Sequence, residues 1–268
     1  MRKLLVAASA LLVPISTAGQ LASPNAVGVR FAHVHLYVSD VDLNASLWSD
    51  LLGGQLLREA GYTALAIPGA LIFFTEQEPT GPSAGTAINR VGFKVRDLDV
   101  ATRSWQDAGY EVDAQPIGDE GPRQAHITMP NGARVELTED PDQESRSEMY
   151  HVNFATSDPQ GTLEWYRDLL SGSERTPGAS GPSTDVPGSS LNFELARGAV
   201  RTTRGAAIDH VGFEVEDIHA FSEMMESKGV EFEGPPFYVE SLDLWVVFFL
   251  DPTGARLEIT QGLYHFGR

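Results

Sequence analysis

Ile208-Asp-His-Val-Gly-Phe-Glu-Val215 alternates polar and apolar side chains, and it recurs in related form three more times along the chain. The other copies are Phe31-Ala-His-Val-His-Leu-Tyr-Val38, Ile88-Asn-Arg-Val-Gly-Phe-Lys-Val95 and Met149-Tyr-His-Val-Asn-Phe-Ala-Thr156. Their third residues, His33, Arg90, His151 and His210, are 57, 61 and 59 residues apart. A period near sixty is that of a repeated supersecondary unit, and equivalent residues of a repeat reach equivalent points in space. Alternation with period two marks a strand with one apolar face. In the fourth copy Val211, Phe213 and Val215 make that face, while His210, Gly212 and Glu214 point the other way.

The segments after the four copies are also alike. Beyond Ile208–Val215, Glu216-Asp217 opens a helix, Phe221, Met224 and Met225 keep helical spacing, and Gly229 closes it. Strands are expected at Val230–Phe232, Tyr238–Val239, Leu244–Leu250 and Ala255–Thr260, with a turn at Asp251-Pro-Thr-Gly254. The second copy repeats this with a helix over Val100–Ala108 and strands at Tyr110–Val112, His126–Met129 and Ala133–Thr138. Copies one and three carry helices over Leu43–Leu52 and Leu163–Leu170 and reach Pro-Gly turns at Pro68-Gly69 and Pro187-Gly188. The unit is βαβββ, and the fold class is α+β with four tandem modules. The polar stretch 139–148 is the best linker, so the expectation is two domains of two modules each, 31–138 and 149–262.

Composition narrows the functional classes. With 19 Lys and Arg against 37 Asp and Glu, the formal net charge is −18. Such a chain repels phosphate backbones and anionic lipid, so neither a nucleic acid nor a membrane is an expected partner. No cysteine is present, which excludes disulfides, thiolate metal sites and a cysteine nucleophile. At the start, Met1-Arg2-Lys3, the apolar run Leu4–Ile15 and the small residues Ser16-Thr17-Ala18 read as a signal peptide over residues 1–18. The apolar run is too short to span a bilayer, so a periplasmic or secreted protein is expected.

Paired βαβββ units that open on His-Val-x-Phe/Leu and close on Asp-Pro-x-Gly-x-x-x-Glu resemble the vicinal oxygen chelate superfamily. That superfamily includes glyoxalase I, extradiol dioxygenases and the bleomycin and fosfomycin resistance proteins. The resemblance covers about residues 31–262. It implies that two modules pair into an open barrel, with metal ligands on the first and last strands of each module. Carried onto this chain, it points to His151, His210 and Glu258 as ligands of a divalent Fe, Mn, Ni or Zn ion. Two imidazoles and one carboxylate leave coordination positions open for substrate oxygens. A fourth ligand is either Glu194, as in a glyoxalase-like set, or Asn192, as in a dioxygenase-like set; counting from the Pro187-Gly188 turn favours Asn192.

The first domain offers His33, Phe73, Arg90 and Glu136 at the matching positions. An arginine opposite a glutamate reads as an ion pair, so this half is expected to be degenerate, with a His33–Glu136 remnant as the alternative. His35 shares the face of His33 and is a cavity histidine candidate. Asn153, Glu214, Tyr238, Phe248 and Arg256 are candidates for the substrate cavity of the second domain.

The resemblance leaves the reaction open between a metal-dependent lyase or isomerase and a dioxygenase, acting on a small substrate with vicinal oxygens. Dioxygenases of the family carry a histidine and a tyrosine shortly before Asp-Pro-x-Gly. Here Phe248 stands at the tyrosine position and no histidine occurs between Tyr238 and Phe249, which removes that acid–base pair and counts against ring cleavage. The alternative is a non-catalytic binding protein that holds a small apolar or aromatic ligand between modules. Either is expected to act as a monomer or homodimer.

Overall fold

The computed structural model describes residues 21–115, 122–175 and 181–267. The expected signal peptide, residues 1–18, lies outside them. Module one comprises β1 (Val29–Val38), α1 (Val41–Leu52), β2 (Gln55–Glu59), β3 (Tyr62–Ile67) and β4 (Ala70–Glu76). Module two comprises β5 (Ile88–Val95), α2 (Leu98–Asp107), β6 (Val112–Gln115), β7 (Gln124–Thr128) and β8 (Arg134–Glu139). Module three comprises β9 (Ser147–Thr156), α3 (Pro159–Leu170), β10 (Ser173–Glu174), β11 (Ser183–Val186) and β12 (Ser189–Leu195). Module four comprises β13 (Ile208–Val215), α4 (Ile218–Ser227), β14 (Phe237–Val239), β15 (Leu244–Leu250) and β16 (Arg256–Gln261).

Each of the four α-helices α1–α4 starts behind an aspartate whose carboxylate accepts from first-turn amides. Asp40 caps Leu43, Asp97 caps Val100, Asp158 caps Gly161, and Asp217 caps His219 and Ala220. The strand expected at Val230–Phe232 is reduced to a single bridge between Phe232 and Phe249.

The modules form two eight-stranded sheets. Sheet one runs β14-β15-β16-β13-β1-β4-β3-β2, and sheet two runs β10-β11-β12-β9-β5-β8-β7-β6. At the centre of each, two first strands meet antiparallel: β1 with β13 in sheet one, β5 with β9 in sheet two. Module one therefore shares a sheet with module four, and module two with module three. The expected pairing of one with two and three with four is corrected accordingly.

Connector length explains the pairing. Residues 140–146 form a short link that crosses the end of β5 inside sheet two. Asp140 N donates to Val95 O at 2.8 Å and Arg96 Nε to Gln143 O at 2.7 Å, and Gln143 is buried. The stretch expected as an interdomain linker is thus a tied crossing within one sheet. The longer connectors 77–87 and 196–207 carry the chain from sheet to sheet and are stitched to each other. Ala87 N donates to Arg201 O (2.9 Å), Arg201 N to Gly85 O (3.0 Å), Thr80 N to Gly205 O (2.8 Å) and Ala207 N to Gly81 O (3.0 Å).

Modules one and two, and modules three and four, meet through their helices instead. Trp48 of α1 packs edge-on to Phe93 of β5, with ring centroids 5.8 Å apart. Trp165 of α3 lies 6.4 Å from Phe249 of β15, and the buried Tyr166 hydroxyl donates to Asp251 at 2.8 Å. The apolar strand faces join these helices in one continuous core. The opposite faces carry the polar residues His33, His210 and Glu258 in sheet one, beside a second apolar cluster, and Arg90, Glu136 and His151 in sheet two.

Candidate metal centre

In sheet one, His33 of β1 stands opposite Gly212 of β13, and His35 stands opposite His210. Gly212 is required there: a Cβ on it would lie 1.9 Å from His33 Cε1. Glu258 of β16 is in register with Gly212, and Phe73 of β4 is in register with His35. The register slips by one residue at Ala32 and again at Asp209. Such bulges redirect side chains at functional edges, and here the second lets two consecutive residues, Asp209 and His210, meet.

Three ligand-type atoms converge. His33 Nε2 lies 3.2 Å and His210 Nε2 lies 2.7 Å from Glu258 Oε2. All three residues are buried. One atom from each of His33, His35, His210 and Glu258 falls within 4.8 Å of all the others. His210 Nε2 has no hydrogen-bonding partner, because its close approach to Glu258 lacks hydrogen-bond alignment, and His33 Nδ1 has none either. Orphaned buried nitrogens are costly. Ligands bound about 2.1 Å from one ion sit about 3 Å from each other, the spacing seen here. The donor set fits a divalent cation.

The surroundings orient the ligands. His210 Nδ1 is 2.5 Å from Asp209 Oδ1, and Asp209 also accepts from Gly205 N (2.6 Å) and from an Arg256 nitrogen (2.8 Å). A carboxylate on the far nitrogen of a ligating histidine fixes its tautomer and ring direction. Burial by itself lowers the pKa of His210, but the Asp209 and Glu258 carboxylates outweigh it and the net direction is up. Burial likewise opposes the charge on Glu258, yet His33 and His210 hold its carboxyl well below the usual range. His35 is pushed well below the ordinary histidine value, first by burial and then by His210 and His33.

Above this floor opens a cavity of about 250 Å³. Its walls are mostly apolar, among them Phe73, Phe237, Leu244, Phe248 and Leu263, with the Tyr62 ring contributing a hydroxyl-bearing side chain.

Sheet two has the same frame with different occupants. His151 of β9 stands over Gly92 of β5, whose absent Cβ would lie 2.2 Å from His151 Nε2. Arg90 takes the position that His210 holds in sheet one. Its Nε donates to Glu136 at 2.8 Å and its NH1 nitrogen to Glu194 at 3.0 Å. Glu136 is also 3.2 Å from His151 and 3.1 Å from His126. Burial raises the pKa of Glu136, but the two histidines and Arg90 reverse this and hold it far below the usual carboxylate range.

The predicted site residues therefore divide between the sheets. His210 and Glu258 meet as expected, but their imidazole partner is His33, and His151 belongs to the other chamber. The degenerate set splits too: Arg90 and Glu136 form the expected ion pair, while His33 and Phe73 lie with His210. A His33–Glu136 remnant is not formed, since those residues are on different sheets. Asn192 pairs with Asn153 and so holds the register of Glu258, whereas Glu194 binds Arg90. Asn153, facing its oxygen to the guanidinium, accepts from the Arg90 Nη2 nitrogen at 2.8 Å.

Of the proposed cavity residues, Phe248 lines the cavity, its ring 5.3 Å from that of His210. Glu214 instead anchors the turn after β16, accepting from Thr260 Oγ1 (2.6 Å) and Gly262 N (2.9 Å). Tyr238 is exposed and bonded to Asp243. Arg256 stacks on the Phe248 ring at 4.0 Å and pairs with Asp209 and Glu233. Asp209 and Tyr62 went unrecognised. The aspartate directly before His210 was the available signal for the first; nothing in the sequence marked the second.

A family model described as the Glyoxalase/Bleomycin resistance protein/Dioxygenase superfamily matches residues 30–141 and again 149–259. No curated protein sequence matches significantly. Among solved structures, glyoxalase I from Zea mays superposes with a TM-score of 0.67 at 16% identity, covering 88% of this chain and 93% of that one. A protein from Bacillus subtilis subsp. subtilis str. 168 described as a putative dioxygenase superposes with a TM-score of 0.68 at 14% identity, covering 92% and 88%. At these identities the likeness is one of fold.

Proposed function

Since this chain belongs to the Glyoxalase/Bleomycin resistance protein/Dioxygenase superfamily, we propose that it is a divalent-metal-dependent enzyme whose active centre is the sheet-one chamber. The observation that carries this reading is the convergence of His33 Nε2 and His210 Nε2 on Glu258 Oε2 at the floor of a cavity. The substrate is a small molecule with two adjacent oxygens, and the ion is Fe, Mn, Ni or Zn. When bound, the ion acts as a Lewis acid that polarises those oxygens.

The chain's own residues do the rest. His33, His210 and Glu258 supply the donors, and Asp209 holds the His210 ring so that Nε2 faces the chamber. Phe73, Phe248 and Leu244 exclude water around the substrate body, which strengthens every polar interaction at the floor. The lining includes no tyrosine or histidine from β15, so lyase or isomerase chemistry is favoured over ring cleavage.

Elemental analysis after identical loading of wild type, Glu258→Gln and Glu136→Gln tests this. One metal per chain, lost with Glu258→Gln and kept with Glu136→Gln, is expected. A wild type that takes up no metal under any loading overturns the enzyme reading. The apolar walls then favour the second reading, a binding protein for a small apolar or aromatic ligand. Export is part of the proposal and rests on residues 1–18. N-terminal sequencing of the mature protein is expected to begin near Gly19, and an intact Met1 on cytoplasmic material ends it.

A further inference from the structure

The two last-strand positions of the sheet-one chamber are unequal. Glu258 on β16 faces Gly212, and its counterpart on β4, facing His35, is Phe73. A phenyl ring donates nothing to a cation, so one of the four strand positions that converge on the floor is chemically silent. We propose that His35 supplies the missing donor, making the centre a set of three histidines and one glutamate; this rests on the metal reading above.

Geometry supports the assignment. His33 and His35 are two residues apart on β1, so both side chains face the chamber. His35 is part of the cluster whose ligand atoms lie within 4.8 Å of one another. Its Nε2 is tied to Thr75 Oγ1 at 2.7 Å on the neighbouring strand. With that nitrogen donating its proton to the hydroxyl, the lone pair sits on Nδ1, the arrangement of a ligating histidine held by an outer partner.

The ring is also fixed on both sides. It stacks on Phe73, with centroids 5.7 Å apart and planes 20° from parallel, and lies 4.5 Å from the His210 ring. Phe73, which offers no donor of its own, therefore braces the imidazole beside it.

The exchange changes the charge of the centre. Three neutral imidazoles and one carboxylate leave a divalent ion with a net charge of one. The cavity lining contains no lysine or arginine. The substrate class that fits is a compact, apolar-bodied molecule that reaches the ion through an anionic oxygen.

The test counts nitrogens. In Cu(II)-loaded wild type, the superhyperfine splitting in the electron paramagnetic resonance spectrum is expected to report three imidazole nitrogens. In His35→Gln it should report two, with Cu(II) affinity at least tenfold weaker and the near-UV circular dichroism unchanged. Adding Phe73→Glu to His35→Gln should restore the affinity, because a carboxylate then occupies the position the phenyl ring held. A wild-type spectrum with two nitrogens, or an affinity indifferent to His35→Gln, overturns the role of His35 while leaving the metal reading in place. Absence of copper from the wild-type chamber, shown by a Glu258→Gln variant that binds as much, overturns both.

Discussion

The third residue of β13 is His210 and the third residue of β5 is Arg90, and around each the same frame recurs. An imidazole from the facing strand sits over a glycine (His33 over Gly212, His151 over Gly92), and a glutamate lies beside that glycine on the last strand (Glu258, Glu136). In sheet one the imidazole touches the carboxylate, His210 Nε2 lying 2.7 Å from Glu258, but makes no hydrogen bond there. In sheet two the longer guanidinium bonds two carboxylates at once, Glu136 and Glu194. The cation in sheet two is a side chain, and on the proposed reading the cation in sheet one is a bound ion. A guanidinium is always charged and carries five donors, so one such replacement converts a coordination site into a closed ion-pair network.

The glycines provide the strongest way to break this comparison. Gly212→Ala places a methyl on the His33 ring and should abolish metal uptake as well as costing about 1–3 kcal/mol from overpacking. Gly92→Ala should cost similar stability by displacing His151, with metal uptake unchanged. Elemental analysis beside urea unfolding of both variants decides the matter; metal loss in Gly92→Ala sinks the division of labour.

Next in size, Glu136→Gln leaves Arg90, whose side chain is 12% exposed, with one carboxylate instead of two. Removing one member of a buried ion network typically costs about 3 kcal/mol. The urea midpoint should fall accordingly, whereas Glu258→Gln in the metal-free protein should shift it less. An equal loss from both substitutions means that sheet two is no more electrostatically closed than sheet one.

Asp209→Asn removes the carboxylate from His210 Nδ1 without emptying the space. Outer-partner losses of this kind typically weaken metal binding by about 10- to 100-fold. Isothermal titration with Zn(II) measures it, and an unchanged affinity shows that the bulge at Asp209 does not orient the ligand.

The smallest effect is on acid stability. The folded-state pKa of Glu136 is depressed, so its contribution is present above its unfolded value of about 4.3 and lost as pH falls below it. Urea midpoints should decline between pH 6 and pH 3, and less steeply in Glu136→Gln than in wild type. Parallel slopes locate the acid sensitivity elsewhere.

Much of this molecule is legible from its primary structure. The sixty-residue period, the strand parity at His210, Gly212 and Glu214, the aspartate and glycine punctuation of the helices, and the Arg90–Glu136 pair arise from local rules. Those rules depend on residues close in sequence or on chemistry with few alternatives. The fourth-ligand question, Asn192 against Glu194, needed the β12–β9 register, because both residues satisfy parity and differ by one full pleat.

The pairing of modules was beyond local reasoning. Gly92 and Gly212 offer the same socket, so His33 could stand over either without a change in strand pattern. Only the tertiary structure discriminates: a short tied connector at 140–146 keeps modules two and three in one sheet, and two longer, mutually bonded connectors send modules one and four to the other. The sequence by itself determined the strand face on which His33, His151, His210 and Glu258 stand. Chain connectivity in three dimensions decided which chamber, because strand faces repeat every two residues whereas the partner of a first strand is set by loops whose closure depends on the whole fold.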